Sequence, residues 1–158
     1  MKGRLQLLRQ EIRSDAAAFA MRAEELATLP LAAATADANV LARAAVALHH
    51  AYGAVEAVMA RLAKVFDTEP TGPNWHRSLL DSMALEVPGV RPAILGPESL
   101  AILRDLLSFR HFFRHAYAVP LDLGRIRSLA DQVQKLAPRL AVELQAVDRW
   151  LHDLAAAD

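Results

Sequence analysis

The sequence predicts an all-α protein: an antiparallel bundle of four long helices and one short helix. Ala and Leu dominate a composition that is 54% hydrophobic and contains only 6 glycines. Apolar residues recur every three or four positions over long stretches, which is the period of an amphipathic helix. A length of 158 residues is enough for one ordinary domain with a sizeable core. We therefore expect residues 1–158 to form a single helical domain.

Two long helices are expected in the first half of the chain, from about Gly3 to Leu29 and from about Asp37 to Phe66. Thr35 or Asp37 can cap the second helix, because both side chains accept hydrogen bonds from free backbone N–H groups. Gly53, inside the second helix, is expected to permit close contact with another helix. The residues expected to face the core are Leu5, Leu8, Ile12, Ala16, Phe19, Ala23 and Leu26 in the first helix, and Leu41, Ala44, Leu48, Tyr52, Val55, Met59 and Leu62 in the second.

Three further helices are expected in the second half. Asn74 is a candidate cap for a short helix from Trp75 to about Glu86. A longer helix begins with proline at its first position and runs from Pro97 to Val119. The last helix is capped by Asp122 and extends towards Leu154. Pro138 lies inside it and is expected to kink or split it, because proline removes a helical hydrogen bond.

Composition and charge exclude several classes of function. The net charge is zero, so no global basic field indicates nucleic-acid binding, and any RNA contact must be a local patch. There is no cysteine, which excludes disulfides and thiolate metal sites. No apolar run is long enough to span a bilayer, and the N-terminal residues do not resemble a signal peptide. We therefore expect a soluble, cytoplasmic protein with no membrane partner.

The densest concentration of chemically active side chains is residues 109–117, FRHFFRHAY, near the end of the fourth expected helix. On a helical projection, Arg110, Arg114 and Tyr117 fall close together on one stripe. His111 and His115 are one turn apart and lie beside that stripe. The opposite side is expected to pack on the core through Ile102, Leu106, Phe109 and Phe113.

Such a group of side chains suits metal-free cleavage of RNA. That reaction needs a base for the 2′-hydroxyl proton, an acid for the leaving oxygen and a cation for the charge on phosphorus. Histidine can serve as acid or base near neutral pH, and the arginine fork matches phosphate oxygens. One helix supplies few of these groups, so two copies meeting in a symmetric dimer would make a fuller site.

Each residue also has a simpler explanation. Arg110 and Arg114 could form salt bridges to acids such as Asp105 or Glu98, and the Tyr117 hydroxyl could cap a helix end. His111 and His115 have the i, i+4 spacing of metal ligands, but no third ligand follows at a convincing spacing, so no metal is expected.

Three other histidines lie outside this stretch. One of His49 and His50 is expected at the edge of the core in a structural role. His76, after Trp75, is a candidate for the lining of a pocket.

The residues Arg110, His115 and Tyr117 form an Arg–x4–His–x–Tyr pattern that resembles the HEPN family of small helical ribonucleases. The Arg–x4–His part resembles the signature of the whole family, with His111 as the polar residue after the arginine. The tyrosine two residues later resembles the toxin branch that is encoded beside a minimal nucleotidyltransferase antitoxin.

This resemblance implies a toxin of a toxin–antitoxin module that acts as a metal-independent ribonuclease at the cleft of a homodimer. His115 would be the acid or base, Arg110 would bind and orient phosphate, and His111 would support both. In relatives, the tyrosine equivalent to Tyr117 receives AMP from the partner nucleotidyltransferase, which silences the toxin. Arg114 has no assigned family role and remains a possible phosphate contact. No cofactor and no DNA partner are implied.

Two hypotheses of different classes remain open. The first is the ribonuclease toxin. The second is a non-catalytic helical subunit that binds a nucleotidyltransferase, or a nucleotide, through the same residues. The motif is compatible with both, because an intact motif can persist in a binding module.

Overall fold

The computed structural model describes residues 1–33, 36–67, 69–115 and 119–157. Within them, the chain forms five helices in the expected order, and the only strand-like feature of the described part is an isolated bridge between Val87 and Arg91. The helices are α1 Lys2–Thr28, α2 Ala38–Phe66, α3 Trp75–Met83, α4 Pro97–His115 and α5 Leu123–Ala157. The predicted bundle of four long helices and one short helix is confirmed. No helix among these residues is long and apolar enough to cross a membrane.

Helices α1, α2 and α5 form the main body of the bundle, and α4 packs on α2 and α5. The short helix α3 joins α2 to α4 at one side. The predicted stripes face the core: all the expected residues of α1 are buried except the partly buried Ala16, and those of α2 are buried except the partly buried Leu41. The long helices therefore form because each has one continuous apolar face to bury.

Three helix starts follow from local signals in the sequence. The Asp37 side chain accepts a hydrogen bond from the Asn39 N–H at 2.8 Å. Pro97 occupies the first position of α4. The Asp122 carboxylate accepts from the N–H groups of Gly124 and Arg125, both at 3.2 Å. In each case the side chain satisfies, or proline removes, a backbone donor that the first turn leaves free.

Helix α3 begins at Trp75 as predicted, but its cap and its end differ from the prediction. The Asn74 side chain makes no capping hydrogen bond, and the helix ends at Met83 instead of Glu86. The chain turns back after Met83, whose carbonyl accepts from the N–H groups of Ile94 at 2.8 Å and Leu95 at 3.1 Å. These two hydrogen bonds occupy the Met83 carbonyl, which would accept a helical hydrogen bond if the helix continued.

Pro138 does not split the last helix, so the predicted split is wrong, while the predicted kink stays a prediction. Helix α5 runs without interruption through Pro138, and this proline is exposed to solvent. Buried Val133, Leu136 and Leu140 lie on both sides of it and pack in the core. An interior proline costs about 3 kcal/mol of helix stability, and burial of these side chains offsets that cost.

Gly53 does not lie at a close helix contact either. A Cβ atom placed there would meet no other atom within 4 Å. The residue faces an open groove, so its lack of a side chain widens the groove and does not bring helices together.

The connection between α3 and α4 is organised by a buried arginine. The Arg91 side chain is 1% exposed and forms an ion pair with Asp67 at 2.9 Å. Its guanidinium also donates to the carbonyl oxygens of Leu85 at 2.8 Å and Ser82 at 3.0 Å. These bonds satisfy a buried charge and fix the connection to the end of α2.

Helix α4 is held at its N-terminus by a residue of α5. One carboxylate oxygen of Glu143 accepts from the Gly96 N–H at 2.8 Å and from the Ser99 hydroxyl at 2.9 Å. The capping group comes from another helix, so it fixes the start of α4 against α5. The far end of α4 then carries the candidate site.

Candidate functional site

The last turns of α4 contain the predicted site residues, and the structure separates them into two sets. His111, Arg114 and His115 are exposed, whereas Arg110 turns inward towards α2 and α3. Tyr117 lies outside the described residues. Arg110 and Arg114 lie on adjacent turns of α4 but differ in exposure, because Arg110 forms an ion pair with Glu56 inside the bundle. Arg110 forms its ion pair with Glu56 and not with Asp105 or Glu98, the acids considered from the sequence.

The core side of α4 is close to the prediction. Leu106 and Phe109 are buried, and Ile102 and Phe113 are partly buried at its margins. Leu103 and Leu107 are also buried, so the apolar face is centred slightly to one side of the predicted stripe.

Arg110 is part of a polar cluster with Glu56 of α2 and His76 of α3. Its Nη2 lies 3.5 Å from Oε1 of Glu56, and its side chain is 13% exposed. Nη1 of Arg110 lies 3.3 Å from Nε2 of His76. His76 in turn lies 2.6 Å from Oε2 of Glu56 through Nδ1. Glu56 can accept the Nδ1–H of His76, and in the neutral ring Nε2 is then an acceptor that faces Arg110.

Two aromatic rings pack against this cluster. The Trp75 ring lies against the His76 ring, with centroids 3.6 Å apart. The Cζ atom of Arg110 lies 5.9 Å from the centroid of the Tyr52 ring, which is fully buried. Burial and the neighbouring Glu56 carboxylate raise the pKa of the Tyr52 hydroxyl far above its usual range. Tyr52 is therefore a neutral part of the wall and not a proton donor to a substrate.

Glu56 and Tyr52 are the site residues that the sequence analysis missed. Tyr52 was expected only in the core. Glu56 follows Val55 on the buried side of α2, with Tyr52 one turn before it and Met59 nearly one turn after it. A carboxylate among buried apolar residues needs a charged or hydrogen-bonding partner. That rule could have indicated that Glu56 pairs with a cation on another helix.

His115 has a defined ring orientation. Its Nδ1 lies 2.7 Å from the backbone carbonyl oxygen of His111. A carbonyl can only accept, so Nδ1 carries the hydrogen and donates it. In the neutral ring, Nε2 is then an unprotonated acceptor that makes no hydrogen bond within the described residues. This is the form in which a histidine takes a proton from a substrate.

The surroundings of the site disfavour the protonated form of two histidines, His111 and His49. Desolvation lowers the pKa of His111, and repulsion from Arg110, Arg114 and the protonated forms of His76 and His115 lowers it further. Desolvation also lowers the pKa of His49, and Arg110, His50 and Arg114 act in the same direction. His49 packs on Phe113 with ring centroids 5.6 Å apart, whereas His50 is exposed. The prediction that one of these two lies at the core edge is confirmed.

Two open depressions flank the polar cluster. The larger one, which we call the α3–α4 cleft, has a volume of about 510 Å³. It is lined by Pro73, Asn74, His76, Arg77, Arg104, Asp105, Leu107, Ser108 and His111. His76 therefore lines a pocket, as expected from its position. The second, the α1–α2 groove, has a volume of about 380 Å³ and contains Arg110, His49, His50 and Gly53 on its walls.

The described residues contain no group of three His, Asp or Glu side chains that could hold a metal ion. His111 and His115 keep the i, i+4 spacing, but Nδ1 of His115 is bonded to the backbone. The arrangement therefore offers a free imidazole nitrogen, exposed cationic side chains and a partly buried arginine held by a carboxylate. These groups can move a proton and stabilise negative charge on a phosphate.

Comparison with known proteins identifies the family. The family model described as "HepT-like protein" matches residues 43–151, which is more than half of the chain. The matched region contains Glu56, His76 and the residues from Arg110 to His115. Searches of curated proteins and of solved structures gave no match. Membership of this family indicates a toxin-type function in a toxin–antitoxin context. The chain belongs to the HepT-like family of HEPN-domain proteins.

Proposed function

We propose that this chain is the toxin of a toxin–antitoxin module and a metal-independent endoribonuclease. The observation that carries the proposal is the orientation of His115, whose Nε2 is left free by the bond from Nδ1 to the His111 carbonyl. We further propose that residues 1–158 act as one HEPN-like domain and that the substrate is cytoplasmic RNA.

In the proposed reaction, Nε2 of His115 takes the proton of a ribose 2′-hydroxyl. The 2′-oxygen then bonds to the adjacent phosphorus, and the bond from phosphorus to the 5′-oxygen breaks. A protonated imidazole gives its proton to that leaving oxygen, so the products are a 2′,3′-cyclic phosphate and a 5′-hydroxyl. His111, whose pKa is lowered by desolvation and nearby positive charge, supports proton transfer beside His115.

Arg110 supplies and orients positive charge near the reacting phosphate. Its contacts to Glu56 and His76 are 3.3 to 3.5 Å long, which are weak bonds for a charged group. Arg110 also lines the α1–α2 groove, and its side chain is 13% exposed, so a ligand in the groove can reach it. It can therefore turn one N–H towards a phosphate oxygen while the Glu56 carboxylate holds its position. Arg114 is exposed at the next turn and is proposed as a second phosphate contact.

A homodimer through the end of α4 would complete the site. Phe112 lies between the two histidines and is 37% exposed, and Val119 is 55% exposed. Exposed apolar side chains near one another are the kind of surface that a second subunit can cover. Two copies would bring two His115 rings to one cleft, so that one acts as base and the other as acid.

Neutralisation is proposed to occur at Tyr117, through AMP transfer by a nucleotidyltransferase antitoxin. This residue follows His115 by two positions in the chain. A nucleotide on its oxygen would bring a phosphate to the arginines near the site and occupy the place of the RNA phosphate.

A second function is favoured by one observation, the ion pair between Arg110 and Glu56. An arginine held this way in the free chain can be a structural element of a non-catalytic subunit that binds a nucleotidyltransferase or a nucleotide. That function predicts a stable complex with the nucleotidyltransferase and no cleavage of RNA by the pure wild-type protein.

The deciding experiment measures cleavage of RNA by the purified protein and by its His115→Ala variant. Loss of a positioned acid or base lowers the rate by about 10²- to 10⁴-fold. His152, an exposed histidine of α5, provides the matched control, and His152→Ala is expected to cleave like the wild type. Chelator is expected to leave the rate unchanged. Equal cleavage by the His115→Ala variant would reject the mechanism.

A further inference from the structure

The α3–α4 cleft lies directly beside the proposed reaction centre, because His111 is one of its walls. Arg104, Asp105, Ser108 and His111 line it from α4 at positions i, i+1, i+4 and i+7, which form one face of a helix. Along this face, Arg104 and His111 are separated by about 10.5 Å of helical rise. A strand with its reacting phosphate at His115 can therefore continue along this row into the cleft.

The cleft contains cationic side chains that suit the phosphate of a nucleotide and polar side chains that suit its base. Arg77 and Arg104 supply two guanidinium groups at its rim, and both are turned to the same residue, Asp81. Arg77 is 73% exposed and lies 3.8 Å from Asp81, so most of its donors remain available to a ligand. Such groups bind phosphate oxygens and also stack on bases.

Other polar side chains of the cleft make no hydrogen bond within the described part of the chain. Asp105 and Ser108 are exposed and make no side-chain hydrogen bond there, and the Asn74 side chain does not cap α3. A carboxylate accepts from a base amino group, while a hydroxyl or an amide can both donate and accept. The deep wall is His76, which is held in one orientation by Glu56 and Trp75. The volume of about 510 Å³ is in the range of pockets that hold small ligands.

We propose that the α3–α4 cleft binds a nucleotide of the RNA strand next to the cleaved bond. The phosphate contacts Arg77 and Arg104, and Asp105 and Ser108 contact the base edge. This inference rests on the proposed ribonuclease function and adds a substrate subsite to it. The cleft thereby sets which nucleotide stands beside the reacting phosphate.

The test measures equilibrium binding of a fluorescent single-stranded oligoribonucleotide to the full-length His115→Ala protein, which binds without cleaving. In that background, Arg77→Gln and Arg104→Gln are each expected to raise Kd about tenfold. The slope of log Kd against log salt should fall by about 0.7 for each phosphate contact that is lost. Ser108→Trp, which fills the cleft without removing a charge, should also raise Kd but leave the salt slope unchanged.

The chain offers matched control variants. Arg13 is 51% exposed and 2.8 Å from its acid, and Arg104 is 48% exposed with the same distance. Arg43 is exposed with a contact of 3.7 Å to Glu25, close to the geometry of Arg77. Arg13→Gln and Arg43→Gln remove the same charge from other surfaces. They are expected to leave Kd within about twofold of the parent value.

The outcomes distinguish the subsite from the function itself. Wild-type cleavage with unchanged Kd in the Arg77, Arg104 and Ser108 variants would overturn the subsite and leave the ribonuclease intact. An equal rise of Kd in the control variants would overturn it as well, since the effect would then come from net charge. Free AMP that displaces the oligonucleotide at its own Kd would overturn the assignment to an RNA strand. Undiminished cleavage by His115→Ala would instead reject the function on which the subsite rests.

Discussion

The guanidinium of Arg110 and the carboxylate of Glu56 lie 3.5 Å apart between α4 and α2. The same carboxylate accepts a hydrogen bond of 2.6 Å from His76. One acidic side chain thus fixes two residues of the candidate site that are 34 positions apart in the chain. Glu56 is a positioning residue, because its carboxylate acts on the proposed chemistry through Arg110.

The first prediction concerns this carboxylate. Glu56→Gln keeps the size of the side chain but removes the negative charge from a site with a partly buried arginine. We expect the free energy of unfolding to fall by about 1–3 kcal/mol, measured by urea titration. RNA cleavage should fall more than stability explains, with the loss in kcat. Glu98→Gln, at an exposed ion pair of α4, is the control and should change stability by less than about 0.5 kcal/mol. Equal effects of both variants on stability and cleavage would show that the Glu56 carboxylate does not position Arg110.

The second prediction concerns assembly. Phe112→Glu places a charge on the exposed apolar side chain between the two histidines. If α4 meets its copy there, the dimer should dissociate to a monomer in light scattering at micromolar concentration, while helical content stays constant. Val142→Glu changes an exposed valine of α5 that is 63% accessible and should leave the dimer intact. A wild-type monomer, or a Phe112→Glu variant that remains dimeric, would contradict the proposed interface.

The third prediction concerns pH. The fold lowers the pKa of His49 below its ordinary value of about 6.5, mainly by desolvation. At pH values between the lowered pKa of His49 in the folded chain and its ordinary pKa in the unfolded chain, the unfolded chain binds more protons than the folded one. The free energy of unfolding therefore falls as pH drops below about 6.5, by up to about 1.4 kcal/mol per pH unit for one proton. His49→Gln should reduce this slope, measured by urea titration between pH 5.5 and 7.5. His111 contributes in the same direction, so part of the slope should remain. An unchanged slope in the variant would show that His49 does not titrate in this window.

The fourth prediction concerns Tyr117, which lies outside the described residues. Incubation with the neighbouring nucleotidyltransferase, ATP and magnesium should add one AMP to this tyrosine and stop RNA cleavage. Peptide mass spectrometry locates the added mass. Tyr117→Phe should remain active after the same treatment, and the buried Tyr52 should carry no modification. Complete inhibition of the Tyr117→Phe variant would show that another residue is the switch.

Local signals in the sequence were enough for most of the fold. Asp37, Pro97 and Asp122 mark helix starts because each acts on backbone groups within a few residues. A split at Pro138 does not occur because the effect of the proline depends on distant packing, which keeps α5 continuous. The end of α3 was placed too late for the same reason, since the Met83 carbonyl bonds with residues of the following connection.

The candidate site was predictable only in part. His111, Arg114 and His115 are exposed near the end of α4, as their positions on a helix indicate. The direction of Arg110 was not predictable, because Glu56 is 54 positions away and helical spacing gives no information about contacts between helices. The α3–α4 cleft likewise needs the packing angle of two helices, which periodicity does not provide.

The buried Arg91 has a consequence for motion. Its bonds tie the end of α2, the end of α3 and the start of the following connection into one unit. The connection to α4 therefore cannot serve as a hinge, because opening it would leave a charge without partners in the core. The two walls of the cleft are expected to move together on the timescale of domain fluctuations, and a ligand would enter through rotation of the rim arginines within nanoseconds. Access is then set by side chains, and the backbone amides of Ile94 and Leu95 should exchange their hydrogens slowly with or without RNA.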